Sequence, residues 1–215
     1  MKNNNITQVF NVPKIKNFEL YVDSLFSNPN KKSIGIIYFI KYNNLHKSII
    51  PKNILLFYNS HKDKHEDGKI MYLPKLKANT ERCIVLYGKN KYKNIDRRLG
   101  ALVSSKIING RWKLFNSFVS KQVFDFTLGW GLDQYKFNTN KVCKYLELSK
   151  NINKRILFST LSGIFYGKEL INIPSSDMGP EALEQSFIDF ANYHSAKLNI
   201  INDSTIKSKF PLIYA

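Results

Sequence analysis

The sequence predicts an α/β fold: an N-terminal mixed-sheet domain with flanking helices over residues 1–150, then an incomplete second α/β domain over residues 151–215. Three observations predict it. Short β-branched or aromatic runs recur through the first half: "SIGIIYFI" (33–40), "NILLFYN" (53–59), "KIMYLP" (69–74) and "RCIVLYG" (82–88). Each has the length of a strand and is bounded by polar turn material. The runs are almost continuously apolar, as strands covered on both faces are. Between and after them, apolar residues at 3–4 spacing supply the covering helices.

The elements follow in order. Residues 14–26 place Ile15, Phe18, Val22, Leu25 and Phe26 on one helical face, and "NPN" at 28–30 stops that helix. After the fourth apolar run, "IDRRLGALVSSKI" starts another helix, and Asn109–Gly110 turns the chain into "RWKLF". Residues 119–137 align Phe124, Leu128, Leu132 and Tyr135. Gly129 and Gly131 inside that helix each cost about 1 kcal/mol relative to Ala, so they permit close packing or mark a bend. "NTNK" at 138–141 breaks the pattern and "KVCKYLEL" reads as a short strand.

Residues 154–171 form the next helix, with Leu157, Leu161, Ile164, Phe165 and Ile171 on one face. Pro174 ends it, because a residue before proline is barred from the helical region. Pro180 suits the first position of a new helix, with Glu181 and Glu184 near its positive end. That helix is expected to turn Leu183, Phe187, Phe190 and Ala191 inward. "KLNIIN" (197–202) reads as a strand, "STIKSKF" as a short helix capped by Ser204, and "PLIYA" as the opening of another strand. This order is that of the first third of an α/β domain. It predicts that residues 151–215 expose apolar faces and exchange their amide protons faster than residues 30–140.

The 215 residues suit one large domain, or one domain plus part of another. With 43% apolar residues, 15 Phe and 12 Tyr, the chain can build a packed core, which argues against wholesale disorder. The longest apolar run, Ile34 to Ile40, is too short to span a bilayer, which needs about 20 residues. The opening "MKNNNITQVFNVPK" has no apolar stretch of signal-peptide length. A cytoplasmic protein with no membrane partner is expected. Cys83 and Cys143 form neither a metal-like spacing nor a disulfide framework and read as ordinary buried or half-buried thiols.

The net charge is +17, from 33 basic and 16 acidic residues. Residues 151–215 hold six of each, leaving 27 basic against 10 acidic in residues 1–150. Such asymmetry suggests two units with different histories and raises nucleic acid as a partner of the first. A Lys-, Asn- and Ile-rich composition, as an AT-rich coding sequence produces, accounts for scattered lysines equally well.

Candidate chemistry is sparse. "SHKDKHEDGK" (60–69) carries His61, His65, Glu66 and Asp67, but lacks an apolar face to bury a metal, and reads as an exposed hairpin tip ended by Gly68. "YGKNKYKN" (87–94) interleaves Tyr with Lys, a pattern that can stack and neutralise a single strand, although a solvated loop explains it as well. Ser175, Ser176 and Asp177 lie between Pro174 and Pro180, where a helix stop and start account for them. His194 sits on a helix and reads as structural or exposed. No catalytic or metal-binding residue is assigned, and substrate-binding residues are unknown.

Three stretches carry a resemblance. "FTLGWGLDQYKFNTNK" (126–141), "GKELINIPSSDMGPEAL" (167–183) and "KFPLIYA" (209–215) resemble the leucyl (cytosol) aminopeptidases, in their short-N-domain bacterial branch. They correspond to the helix that closes the N-terminal domain, the entry into the catalytic domain, and the approach to that domain's next strand. The likeness is specific from about 124 to 215, looser over 50–123, and positional only over 1–49. Lys168 departs from it, since the family usually has Arg there; the charge survives and the bidentate geometry does not.

The resemblance implies a cytosolic metallopeptidase that removes N-terminal amino acids and usually assembles as a hexamer. Two divalent metals, Mn or Zn, would be held by Asp, Glu and Lys in the full-length enzyme and would activate a water. The family's "Asp-Thr-Gly-Gly" and "Asn-Thr-Asp-Ala-Glu-Gly-Arg" segments do not occur in this sequence. The expectation is therefore an N-terminal fragment, inactive alone and without a cofactor of its own. Its expected partner is the missing catalytic portion or an intact homologue. The alternatives are a basic nucleic-acid-binding module or a docking partner of an intact aminopeptidase.

Overall fold

Five strands form one mixed sheet in the order β2-β3-β1-β4-β5 in the computed structural model. It describes residues 13–26, 34–42, 50–61, 66–74, 81–89, 91–115, 118–137, 142–201 and 203–214. The turn expected at 28–30, the break at 138–141 and His65 lie outside these residues. The central strand β1 (Ile34–Lys41) runs parallel to β3 (Arg82–Tyr87) on one side and to β4 (Gly110–Leu114) on the other. β5 (Lys144–Leu146) continues parallel beyond β4, and β2 (Ile70–Tyr72) closes the other edge antiparallel to β3.

The near-continuous apolar runs are explained by burial on both sheet faces. Ile37 and Phe39 of β1 share a core with Cys83, Val85, Trp112 and Leu146, while the alternate residues Tyr38 and Ile40 join Ile84 and Leu86 in a second core. Period-2 alternation sends the two sets to opposite sides.

The larger core is covered by α1 (Ile15–Phe26), α3 (Arg97–Lys106), α4 (Ser120–Asp133) and α5 (Lys154–Asn172). Helix α1 buries the expected Ile15, Phe18, Val22, Leu25 and Phe26, and Tyr21 as well. Its Tyr21 hydroxyl donates to the Gln134 carbonyl at 2.7 Å, tying α1 to the end of α4. The glycines of α4 serve close packing. A Cβ at Gly129 would collide with the Arg97 carbonyl of α3, and one at Gly131 with the Leu161 side chain of α5. Helix α5 buries Leu157, Leu161 and Phe165 in this core. Ile171 is exposed instead of sharing that face. At 3.6 residues per turn it lies about 240° round the helix from Phe165.

The second core is covered by residues 52–59, which are a helix, α2 (Lys52–Asn59), and not the expected strand. Ile54 and Tyr58 are buried while Leu56 between them is exposed. A strand would put all three on one side; a helix separates them.

Helix α6 (Pro180–Tyr193) buries Ala182, Ser186 and Ala191. The Tyr166 hydroxyl of α5 donates to the Ser186 carbonyl at 3.1 Å, and the Tyr166 and Phe190 rings stack at 5.5 Å. Leu183 and Phe187, expected inward, are exposed.

Residues 196–201 have no regular structure where a strand was expected. α7 (Asp203–Lys209) begins one residue before Ser204, which therefore lies inside its first turn and not at its cap. The expected terminal strand is instead a helical turn, α8 (Pro211–Tyr214).

Candidate functional site

The chemically suggestive residues do not converge. Ser175, Ser176 and Asp177 form an exposed turn whose Asp177 and Met178 amides both donate to the Pro174 carbonyl at 2.9 Å. Ile173 leaves α5 with φ −66° and ψ 130°, and Gly179 enters α6 with φ −80° and ψ 179°. The stretch is a helix stop, a turn and a helix start, as its two prolines imply.

The 60–69 stretch joins α2 to β2 and so is not a hairpin tip between two strands. His61 follows α2, with Nδ1 2.9 Å from the Phe57 carbonyl and its ring 4.5 Å from the Phe57 ring. Asp67 turns to other work: its carboxylate accepts from the Tyr92 amide at 2.7 Å and the Lys89 amide at 3.4 Å. It thus fixes the 87–94 loop, where Gly88 adopts φ +104°. A carboxylate meeting two backbone N–H groups is a strong local anchor. Sequence reasoning missed this pairing, which spans 25 residues and leaves no local pattern.

The Tyr-Lys loop is a loop as expected, and its geometry weakens the stacking idea. Tyr92 is only 8% exposed and belongs to the larger core, so its ring face is not open to a base. Lys89 lies over the Tyr42 ring at 4.7 Å and Lys91 over Tyr92 at 5.6 Å.

Cys83 is fully buried, and burial pushes its thiol far above the usual range, which keeps it protonated and inert. Cys143 is half-buried, and both are free thiols. His194 follows α6 with its ring 4.5 Å from Phe190 and 5.0 Å from Tyr193.

The structure does bring one cluster together. The Tyr135 hydroxyl, beyond the end of α4, donates to Glu169 at 2.8 Å and accepts from the Asn172 amide at 3.0 Å. Lys168 lies over the same ring at 5.1 Å. The two stretches 126–141 and 167–183 therefore touch through Tyr135, Lys168, Glu169 and Asn172. Lys168 meets a ring face here, which does not require the forked geometry of Arg.

A two-metal centre needs several carboxylates converging on adjacent ions. Among the described residues no three His, Cys, Asp or Glu side chains come together as metal ligands. These residues do not fit such a centre, and no chemical step is derived through one. No helix of the described residues is long and apolar enough to cross a membrane.

What the chain presents is a mixed five-stranded α/β layer with a helical extension, a class defined by its fold and not by reactive groups. No family model and no curated protein matches its sequence. Solved structures do match its fold. The crystal structure of cytosol aminopeptidase from Coxiella burnetii aligns with a TM-score of 0.66 and 20% identity, over 89% of this chain and 43% of that one. The bottromycin maturation enzyme BotP aligns with a TM-score of 0.58 and 9% identity, over 82% of this chain and 41% of that one. The chain thus has the fold of part of a cytosol aminopeptidase and spans less than half the length of either structure.

Proposed function

We propose that the chain is the N-terminal portion of a cytosolic leucyl aminopeptidase, a metal-dependent enzyme that releases N-terminal amino acids from peptides. The observation that carries this reading is the aligned fold over 89% of the chain. It is supported by the contact between the two resembling stretches through Tyr135, Glu169 and Asn172. In this reading residues 1–150 are the N-terminal domain and residues 151–215 lead into the catalytic domain. The portion contributes a folded support and no metal ligand. The Mn or Zn ions would belong to segments that this sequence does not contain.

Two experiments test the reading. The purified 215-residue chain, given Mn²⁺ or Zn²⁺, is expected to leave a leucyl amide uncleaved; turnover above the metal-only rate would overturn the assignment of catalysis to other segments. A chimera in which this chain replaces the matching part of the Coxiella enzyme is expected to keep peptidase activity. A folded, metal-loaded but inactive chimera would count against the family assignment.

The excess of 27 basic over 10 acidic residues in 1–150 favours a second reading, phosphate binding by that unit. Its affinity for single-stranded nucleic acid should fall steeply with added salt. A flat or absent response in an anisotropy titration removes this reading.

A further inference from the structure

The chain's single Asn-Gly pair, Asn109–Gly110, lies between α3 and β4. Asn109 is exposed, and Gly110 has φ +148°, a conformation that residues with a Cβ rarely adopt. Asn-Gly pairs are prone to spontaneous deamidation, because a glycine has no side chain to hinder attack by its own amide nitrogen. In that reaction the Gly110 nitrogen forms a bond to Asn109 Cγ, and its proton passes through solvent to Nδ2. The Cγ–Nδ2 bond breaks and ammonia leaves. Water then opens the cyclic imide at either carbonyl, giving Asp or its β-linked isomer.

The fold withholds the attacking group. The Gly110 amide donates to the Cys143 carbonyl at 3.0 Å, at the start of the parallel β4–β5 pair. An amide proton held in a sheet ladder is released only when that bond opens. The partner strand β5 is three residues long and outermost in the sheet, the kind of element that opens first. It is held by the buried Leu146, and by Lys144, whose Nζ donates to the Ser104 carbonyl and to the Ser105 carbonyl at 3.2 Å. The turn has a separate pair of ties. The Ile108 amide donates to the Tyr72 hydroxyl at 2.9 Å, and Trp112 Nε1 donates to the Ile108 carbonyl at 3.0 Å. Both hold the residue before Asn109 and neither engages the Gly110 nitrogen.

We propose that Asn109 is a self-modification site gated by β5. It stays asparagine while the edge strand is paired, and it deamidates when that strand opens. The product places a carboxylate at the turn. The β-linked isomer also inserts an extra backbone carbon just before β4, which displaces Gly110 from Cys143. A transient opening of the sheet edge thereby becomes permanent, with no enzyme or cofactor needed.

The test holds the 215-residue chain in mildly alkaline buffer and follows the tryptic peptide of residues 107–111 by mass spectrometry. A synthetic peptide of residues 104–114 is the ungated reference. Asn109 should convert at least about tenfold more slowly in the folded chain than in the peptide, since the gated site reacts only through local opening. Leu146→Ala loosens the anchor of β5 and should raise the rate several-fold. Tyr72→Phe frees only the Ile108 amide and should leave the rate nearly unchanged. Should Leu146→Ala fail to fold, Lys144→Ala replaces it. Equal rates in chain and peptide overturn the proposal, as does a folded β5 variant that reacts no faster than the native chain. A Tyr72→Phe acceleration matching that of the β5 variant also overturns it, because the rigidity of the turn would then be the guard.

Discussion

Helices α4 and α6 are both 14 residues long, yet they are stabilised from opposite directions. α4 has weak local signals: Val119 at its N-cap provides no side-chain cap, and two glycines lie in its interior. Its order comes from outside, since Val123, Phe126, Thr127, Leu128 and Trp130 are all buried. α6 has the better local signals, with Pro180 in its first turn and Glu181 at its positive end, but it buries only Ala182, Ser186 and Ala191. Packing carries most helical stability in proteins. The sheet unit is therefore expected to be the cooperative unit, and the region beyond Ile171 the weaker one.

The largest expected effect sets Trp130 against Phe187. Trp130→Ala removes a fully buried indole and should cost about 3–5 kcal/mol. Phe187→Ala removes an exposed ring and should stay within about 0.5 kcal/mol. Urea unfolding of the two variants measures the difference; comparable losses would mean that α6 is buried after all. Next come two glycines. Gly129→Ala drives a methyl group into the Arg97 carbonyl, a backbone atom that cannot rotate away, and should cost about 3 kcal/mol or more. Gly163→Ala on α5 meets no atom within 4 Å and should stabilise by about 0.5–1 kcal/mol. Thermal unfolding should show opposite signs.

A smaller effect concerns caps. Asp96 accepts from the Leu99 amide at 3.0 Å and starts α3, beside α4. Asp96→Ala should cost about 1 kcal/mol. Gly179 starts α6 without a side-chain cap, in a conformation open to any residue. Gly179→Asp should gain only a few tenths of a kcal/mol, about the difference between Gly and Asp at such a position. Melting curves that ranked the two changes in the reverse order would contradict the view that α4 and its neighbours dominate stability.

The same contrast explains what could be read from the sequence. Where a local signal fixes the backbone, the expectation matches the structure: Pro174 and Pro180 bracket a turn, and α1 has the expected face. Where an element depends on its neighbours, the sequence is ambiguous. "NILLFYN" is an apolar run short enough for either period, and only the burial of Ile54 and Tyr58 around the exposed Leu56 decides for a helix. "KLNIIN" has a strand's pattern, yet residues 197–201 join no described sheet. In α6 both the large and the small residues have helical spacing, and the structure buries Ala182, Ser186 and Ala191 while Leu183 and Phe187 stay exposed. Asp67 and Tyr135 make their main contacts across long stretches of chain, so no local motif announces them.

The subtlest comparison is between two tyrosines, one in each region. Burial, with a smaller push from Cys143, raises the pKa of Tyr21 from 10.0 to about 12. Tyr193 is raised chiefly by its hydrogen bond to Glu19, in an exposed setting. A folded pKa above the unfolded one means that the folded state retains a proton which the unfolded chain releases. Between pH 10 and about 12 the unfolded state binds fewer protons, so stability falls as pH rises. The Tyr21 contribution is complete below pH 10 and is lost as pH passes through about 12. Tyr21→Phe should therefore flatten the decline in stability across that window, despite removing the hydrogen bond to Gln134. Tyr193→Phe should leave the slope nearly unchanged, because solvent screens an exposed pair. Urea midpoints measured at pH 9, 10, 11 and 12 would separate the two variants. If Tyr193→Phe flattened the profile more than Tyr21→Phe, the alkaline sensitivity would lie at the α1–α6 contact and not in the sheet unit's core.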